Sequence, residues 1–310
     1  MPIREPFRFT PYLTQENITM LRRNFLKTAL ASSLASSAAF QAMALGKSNR
    51  YRKNIGIQLY TLRNQIAEDP VGTLKAVAEA GYKQVEPYGF PYASSMIEAA
   101  KDFGLAVNSS HFAWESVTNP TKGGVPPFAK ILDTAKETGL SHLVVPYLHD
   151  HERGGPDAYK RLAENCNRAA AQAKKVGIQL AYHNHAFEFE PVEGTTGYQV
   201  LMDEFSPEMQ FEVDVFWVEV GGVDPVKLIK KLKGRVSQLH LKDLKKGMDL
   251  PEFGSVPKDA FQELGEGVIP MEPIIQAAQK AGVAHCHVEQ DQSPDPIASI
   301  NQSIKYLATL

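Results

Sequence analysis

From Asn54 onward the chain alternates two kinds of segment. Short apolar runs read as buried strands. Longer stretches with apolar residues three and four apart read as helices. The runs are Ile55–Tyr60, Gln84–Glu86, Leu105–His111, His142–Pro146, Ile178–His183, Gln210–Val215, Val236–Leu241 and Ala284–Val288. The helical stretches between them are Asp69–Ala80, Ala93–Phe103, Phe128–Thr138, Asp157–Lys175, Tyr198–Phe205, Pro225–Leu232, Met271–Ala281 and Asp295–Leu307. Glycines close several helices (Gly81, Gly104, Gly139, Gly282), as left-handed C-terminal caps do. A segment rich in Pro and Gly, Lys245–Pro270, interrupts the alternation before the last two units.

Parallel strands need crossovers, so eight βα units in about 250 residues predict a (β/α)8 TIM barrel in one domain, residues 45–310. A doubly wound open sheet is the competitor. No GxGxxG follows the first strand to support it. In a barrel the chemistry sits at the C-terminal strand ends. Those ends carry Gln58 and Tyr60, Glu86, His111, His183 and His185, Asp214, His240 and Lys242, and Glu289. His183 and His185 share a strand face, because side chains alternate with period 2. Buried carboxylates and imidazoles on successive units need a shared counter-ion. One divalent metal would provide it. A mixed carboxylate and imidazole set suits Mn²⁺ first, then Zn²⁺, Co²⁺ or Fe²⁺, over Ca²⁺. Lys242, two residues after His240, is placed to hold a substrate oxygen. Gln58, Tyr60, Glu86, His111 and His185 are expected as further substrate contacts.

Composition removes some alternatives. Of 310 residues 43% are hydrophobic and 22% charged, with formal net charge -2. That balance gives no electrostatic reason to expect nucleic acid as a partner. The two cysteines, Cys166 and Cys286, lack any zinc spacing and read as buried thiols. The N-terminus differs in kind. Leu21-Arg22-Arg23-Asn24-Phe25-Leu26-Lys27 precedes an Ala- and Ser-rich stretch ending in Ala42-Met43-Ala44. This resembles a bacterial twin-arginine signal. It implies recognition by the twin-arginine (Tat) export machinery, cleavage after Ala44 and a periplasmic mature protein. Residues 1–19 read as an extension before a natural start at Met20. The signal's apolar part is too short to be a stable membrane span.

Several motifs carry a further resemblance. Ile57-Gln58-Leu59-Tyr60-Thr61-Leu62-Arg63, Gly81-Tyr82-Lys83-Gln84-Val85-Glu86, His240-Leu241-Lys242-Asp243 and Leu264-Gly265-Glu266-Gly267 are similar to segments of the sugar isomerase/epimerase superfamily of xylose isomerase-like barrels. The resemblance implies one divalent metal, often Mn²⁺, held by Glu, Asp, His and Glu at strands five to eight. Asp214, His240 and Glu289 match the last three, and His183 stands where the epimerases carry Glu. The resemblance implies an isomerase or epimerase on an unphosphorylated sugar or keto-sugar, acting through a metal-stabilised enediolate with His183, Glu289 and Lys242 in the chemistry. The alternative is a lyase or hydratase that eliminates the β-substituent of a 3-keto-glycoside. A multi-zinc endonuclease is disfavoured by charge, and a non-catalytic sugar-binding protein is the remaining rival.

Overall fold

A computed structural model describes residues 50–310. The twin-arginine motif, the Ala44 cleavage site and the domain boundary at residue 45 lie outside the described residues.

Eight parallel strands form the barrel: β1 (Gly56–Gln58), β2 (Gln84–Glu86), β3 (Ser109–His111), β4 (His142–Val145), β5 (Gln179–His183), β6 (Met209–Asp214), β7 (Val236–Leu241) and β8 (His285–Val288). The hydrogen-bonded order is β2-β1-β8-β7-β6-β5-β4-β3. Two isolated parallel bridges, Gln84 to Ala106 and Phe90 to Phe112, span the remaining gap between β2 and β3. The crossover helices are α1 (Pro70–Ala80), α2 (Ser94–Asp102), α3 (Phe128–Thr138), α4 (Pro156–Lys175), α5 (Gly197–Glu204), α6 (Pro225–Lys231), α7 (Met271–Ala281) and α8 (Pro296–Leu307). Asp69, Asp224 and Asp295 each cap a helix whose first residue is Pro, accepting from Gly72, Lys227 and Ala298 N–H groups. Proline lacks the N–H that a first turn leaves unpaired, so the Asp-Pro pair is a strong start signal.

Two strands are shorter than the apolar runs predict. β1 stops at Gln58, whose side chain accepts from Tyr60 N–H at 3.1 Å and bends the chain into a 3₁₀ turn over Leu59–Leu62. The third run pairs regularly only from Ser109. The predicted insertion folds back on the residues just before it: its Phe261–Gln262 pairs antiparallel with Asp243–Leu244. Asp243 organises it: its carboxylate accepts from Leu244, Gly265, Gly267 and Ile269 N–H groups at 2.9 to 3.1 Å. A Cβ on Gly267 would lie 2.2 Å from Asp243 Oδ1. The Leu264-Gly265-Glu266-Gly267 motif is therefore a loop anchor.

Strand alternation sorts the residues. Phe211, Val213, Leu239, Leu241, Cys286 and Val288 join the apolar cluster under the helices. Their neighbours Glu212, Asp214, Gln238, His240, His287 and Glu289 are buried and polar. Bonds such as His240 to Glu86 and Gln238 to Ser109 cross the ring, so this second set fills the barrel interior. Barrel interiors usually hold branched aliphatics. This one holds charge, and each buried polar group without a partner would cost several kcal/mol.

Candidate metal centre at the barrel rim

The β6–β7 register sets Asp214 opposite His240, and the β7–β8 register sets His240 opposite His287, two residues before Glu289. β5 brings His183 to the same rim. One potential ligand atom from each of His183, Asp214, His240 and Glu289 lies within 4.8 Å of the others, and all four residues are buried. These are the four residues expected to form the metal set.

The local structure aims each side chain. Asp214 caps the short helix Val215–Val220: its Oδ1 accepts from Phe216 and Trp217 N–H groups at 3.0 and 3.1 Å. Its Oδ2 is left for the site, 3.2 Å from His183 Nε2 and 3.1 Å from Lys242 Nζ. Asn184 ties the strand ends together, exchanging bonds with the Asp214 backbone N–H and carbonyl. His183 Nδ1 lies 3.2 Å from the Pro146 carbonyl. Donation there leaves Nε2 as an acceptor facing Asp214. His240 Nε2 lies 2.8 Å from Glu86 Oε1, which leaves Nδ1 toward the rim. Ligating histidines characteristically give their other N–H to a carbonyl or carboxylate in this way. His240 Nδ1 is 2.7 Å from Glu289 Oε2, yet neither atom has a hydrogen-bond partner of acceptable geometry. Without an ion, Glu212 and Glu289 outweigh burial and hold His240 protonated, and Glu289 Oε2 also faces Lys242 Nζ at 2.9 Å. A divalent ion between Nδ1 and Oε2 would take the place of that proton.

Electrostatics agree with a cation-seeking site. Burial opposes ionisation of Asp214, but Lys242, His183 and His240 outweigh it and hold the carboxyl down at about 2. Burial also opposes ionisation of Glu289, and Lys242 and His240 overcome it and push the pKa well down. Burial pushes His183 down, against the pull of Asp214, and so favours the neutral ligand form. Lys242 is 3% exposed. Burial works against its charge, but Asp214, Asp291 and Glu289 hold it protonated. Its Nζ lies 2.9 Å from Glu289 and 3.1 Å from both Asp214 and Asp291.

The expected substrate contacts divide. Tyr60 and His185 are partly buried at the rim. Tyr60 packs edge-on to Tyr88, and His185 packs between Phe187 and Trp217, with Tyr147 against its edge. His111 keeps 11% side-chain exposure, with Nε2 3.0 Å from Glu212 and 3.3 Å from Glu86. Burial lowers its pKa, but the two carboxylates raise it to about 9. Glu86 and Gln58 are corrections. Both are 0% exposed, one layer below the rim, and Gln58 Nε2 donates to Glu86 Oε1 at 2.8 Å. Glu86 braces His240 from beneath and Gln58 braces Glu86, so neither reaches the rim surface.

The sequence reading missed Glu212, Gln238, His287 and Asp291. The first three sit two residues before Asp214, His240 and Glu289, so period 2 alone would place them under the rim. Asp291 lies in the loop beyond β8, where no strand pattern points to it.

The profile of the xylose isomerase-like TIM barrel family matches residues 74–310. An inosose dehydratase of Clostridium perfringens is 30% identical over 158 residues, 48% of this chain and 52% of that protein. The chain thus spans about half the length of that curated relative. A solved sugar phosphate isomerase/epimerase from Parabacteroides distasonis matches at TM-score 0.70 and 25% identity, covering 87% of this chain and 98% of that one. The structure of an IolI protein with a bound zinc atom matches at TM-score 0.61 and 14% identity, over 83% and 97% of the two chains. That last likeness concerns the fold. The family profile covers well over half of the sequence, and the chain belongs to the xylose isomerase-like TIM barrel family.

Proposed function

We propose that this protein is a metal-dependent carbon–oxygen lyase that eliminates water or an alcohol from an unphosphorylated keto-sugar or keto-glycoside. His183, Asp214, His240 and Glu289 would hold one divalent ion, with Mn²⁺ or Zn²⁺ suiting the mixed donor set. The ion, when bound, supplies Lewis-acid stabilisation of negative charge on a substrate oxygen. One observation carries the choice of elimination. His183, kept neutral by burial, gives its Nδ1–H to Pro146, and the ion would take the Nε2 lone pair that faces Asp214. An epimerase needs a proton acceptor on each face of the reacting carbon. His183 offers none where the epimerases carry Glu, so a single base remains, which suffices for elimination.

In this reading Glu289 takes the proton beside the carbonyl. The C–H electrons become the new double bond as the bond to the β-oxygen breaks, and the protonated Glu289 carboxyl returns its proton to the leaving oxygen. Lys242, fixed by three carboxylates, presents its ammonium to the developing oxyanion. Tyr60, Tyr88, Tyr147 and Trp217 offer apolar ring faces to a sugar. A neutral substrate is supported by the cations at the rim. Arg63 is spent on the Tyr60 and Asp291 carbonyls, and Arg153 on Tyr147 and Asp150. The name of the inosose dehydratase relative points the same way.

The second reading, an isomerase or epimerase, is favoured by the match to the Parabacteroides distasonis structure across most of both chains. Product analysis by NMR on a panel of keto-sugars and 3-keto-glycosides, with and without added Mn²⁺, separates the two. Metal-dependent release of the β-substituent supports the lyase. Net epimer with the substituent retained rejects it.

A further inference from the structure

Beneath the rim centre lies a second buried group. One donor atom from each of Glu86, Glu212, His240 and His287 lies within 4.8 Å of the others. All four residues are 0% exposed. Two carboxylates from β2 and β6 approach each other across the barrel, and His287 faces them with Nδ1 3.9 Å from Glu86 Oε2 and 4.0 Å from Glu212 Oε1. Neither nitrogen of His287 has a hydrogen-bond partner. A fully buried imidazole with both nitrogens unpaired is costly unless something fills the space before it.

The chain also gives up a side chain to admit this ring. A Cβ on Gly56 of β1 would sit 2.3 Å from His287 Cδ2 and 2.7 Å from Gln84 Cγ. Glycine inside a strand weakens it and marks a close approach. Gln238 completes the layer. Its amide Nε2 donates to Ser109 at 2.9 Å and Glu212 at 3.0 Å and lies 3.4 Å from Glu86, while its Oε1 is buried and unpaired. Exchanging the amide's two ends would turn that oxygen toward the carboxylates.

We propose that this layer is a second cation site, holding a divalent transition-metal ion on Glu86, Glu212 and His287, with the Gln238 carbonyl oxygen as a further ligand. Glu86 Oε2 and Glu212 Oε1 offer the ion two anionic donors beside the contacts that these carboxylates keep with His111 and His240, and the imidazole selects a transition metal over Ca²⁺ or Mg²⁺. His240 stands between the two centres, Nδ1 toward the rim and Nε2 toward Glu86. The lower site is enclosed, so its ion exchanges more slowly than the rim ion.

The test is metal stoichiometry. The protein is dialysed against Mn²⁺ alone, freed of unbound ion and analysed by mass spectrometry. Two ions per chain are expected for the wild type, one for Asp214→Ala and one for His287→Leu. One ion in the wild type, unchanged in His287→Leu, overturns the proposal while leaving the rim centre intact. No ion in Asp214→Ala, or two in His287→Leu, also overturns it. If His287→Leu does not fold, anomalous diffraction at the manganese edge on the wild type decides. A peak bordered by Glu86, Glu212 and His287 is expected, and an ordered water without anomalous signal there refutes it.

Discussion

Glu188 is the clearest place to test the electrostatic account. It follows the β5 terminus and is 0% exposed. Its Oε1 accepts from Tyr182 O–H and its Oε2 from His185 N–H, both at 2.8 Å, so it pins the backbone beside His183. Burial raises its pKa from 4.5 to about 7, against the lowering effect of the Tyr182 bond. The folded state therefore keeps a proton that the unfolded chain releases. Between pH 4.5 and 7 the native state binds more protons than the unfolded state, so stability falls as pH rises. A shift of about 2.5 units corresponds to roughly 3 kcal/mol, fully expressed above pH 7. Glu188→Gln cannot titrate. Its carbonyl can still accept from His185 N–H, and its amide can donate to the Tyr182 oxygen. Its own cost is therefore the same at every pH. Urea unfolding of both proteins at pH 4.5, 5.5, 6.5 and 8 gives the difference curve. The variant should gain about 3 kcal/mol relative to wild type across that range. A flat difference would show that Glu188 is ionised in the fold at all these pH values, and the burial argument would fail.

Three further outcomes follow from the same contacts. Gly56→Ala forces a methyl into His287 and Gln84 and should destabilise the fold by at least 1–3 kcal/mol, read from the urea midpoint. Asp243→Asn removes the charge that four backbone N–H groups share; a loss of about 2 kcal/mol with early proteolysis within residues 245–270 is expected, and an unchanged digestion pattern argues against the anchor. Lys242→Met should lower kcat by about 10²–10³ with the metal content retained, whereas near-normal turnover removes Lys242 from the chemistry.

Much of this architecture is legible in the sequence, because each β and α segment carries its own period and the helices carry Asp-Pro starts and glycine ends. The four rim residues are legible for a related reason: in a barrel, the end of each strand is a known place. The layer beneath is written in the same period, since Glu212, Gln238 and His287 precede rim residues by two. It goes unread because a polar residue inside an apolar run is ordinarily assigned to the rim or to solvent. Glu86 shows the cost. It ends its strand, but in the barrel it is wholly buried, with Oε1 2.8 Å from His240 Nε2 and 3.3 Å from His111 Nε2. Asp291 lies in a loop, where only the folded chain brings it to Lys242. The role of Leu264-Gly265-Glu266-Gly267 depends on the carboxylate of Asp243, about twenty residues away, and no local pattern connects them.

The central claim is that a rim metal and a single base drive elimination. The most direct test follows a 3-keto-glycoside by proton NMR in D₂O with Mn²⁺-loaded protein. The account predicts one equivalent of alcohol released per unsaturated ketone formed, no epimer, and loss of all turnover in Asp214→Ala. Accumulation of an epimer deuterated beside the carbonyl, with no alcohol released, would contradict it.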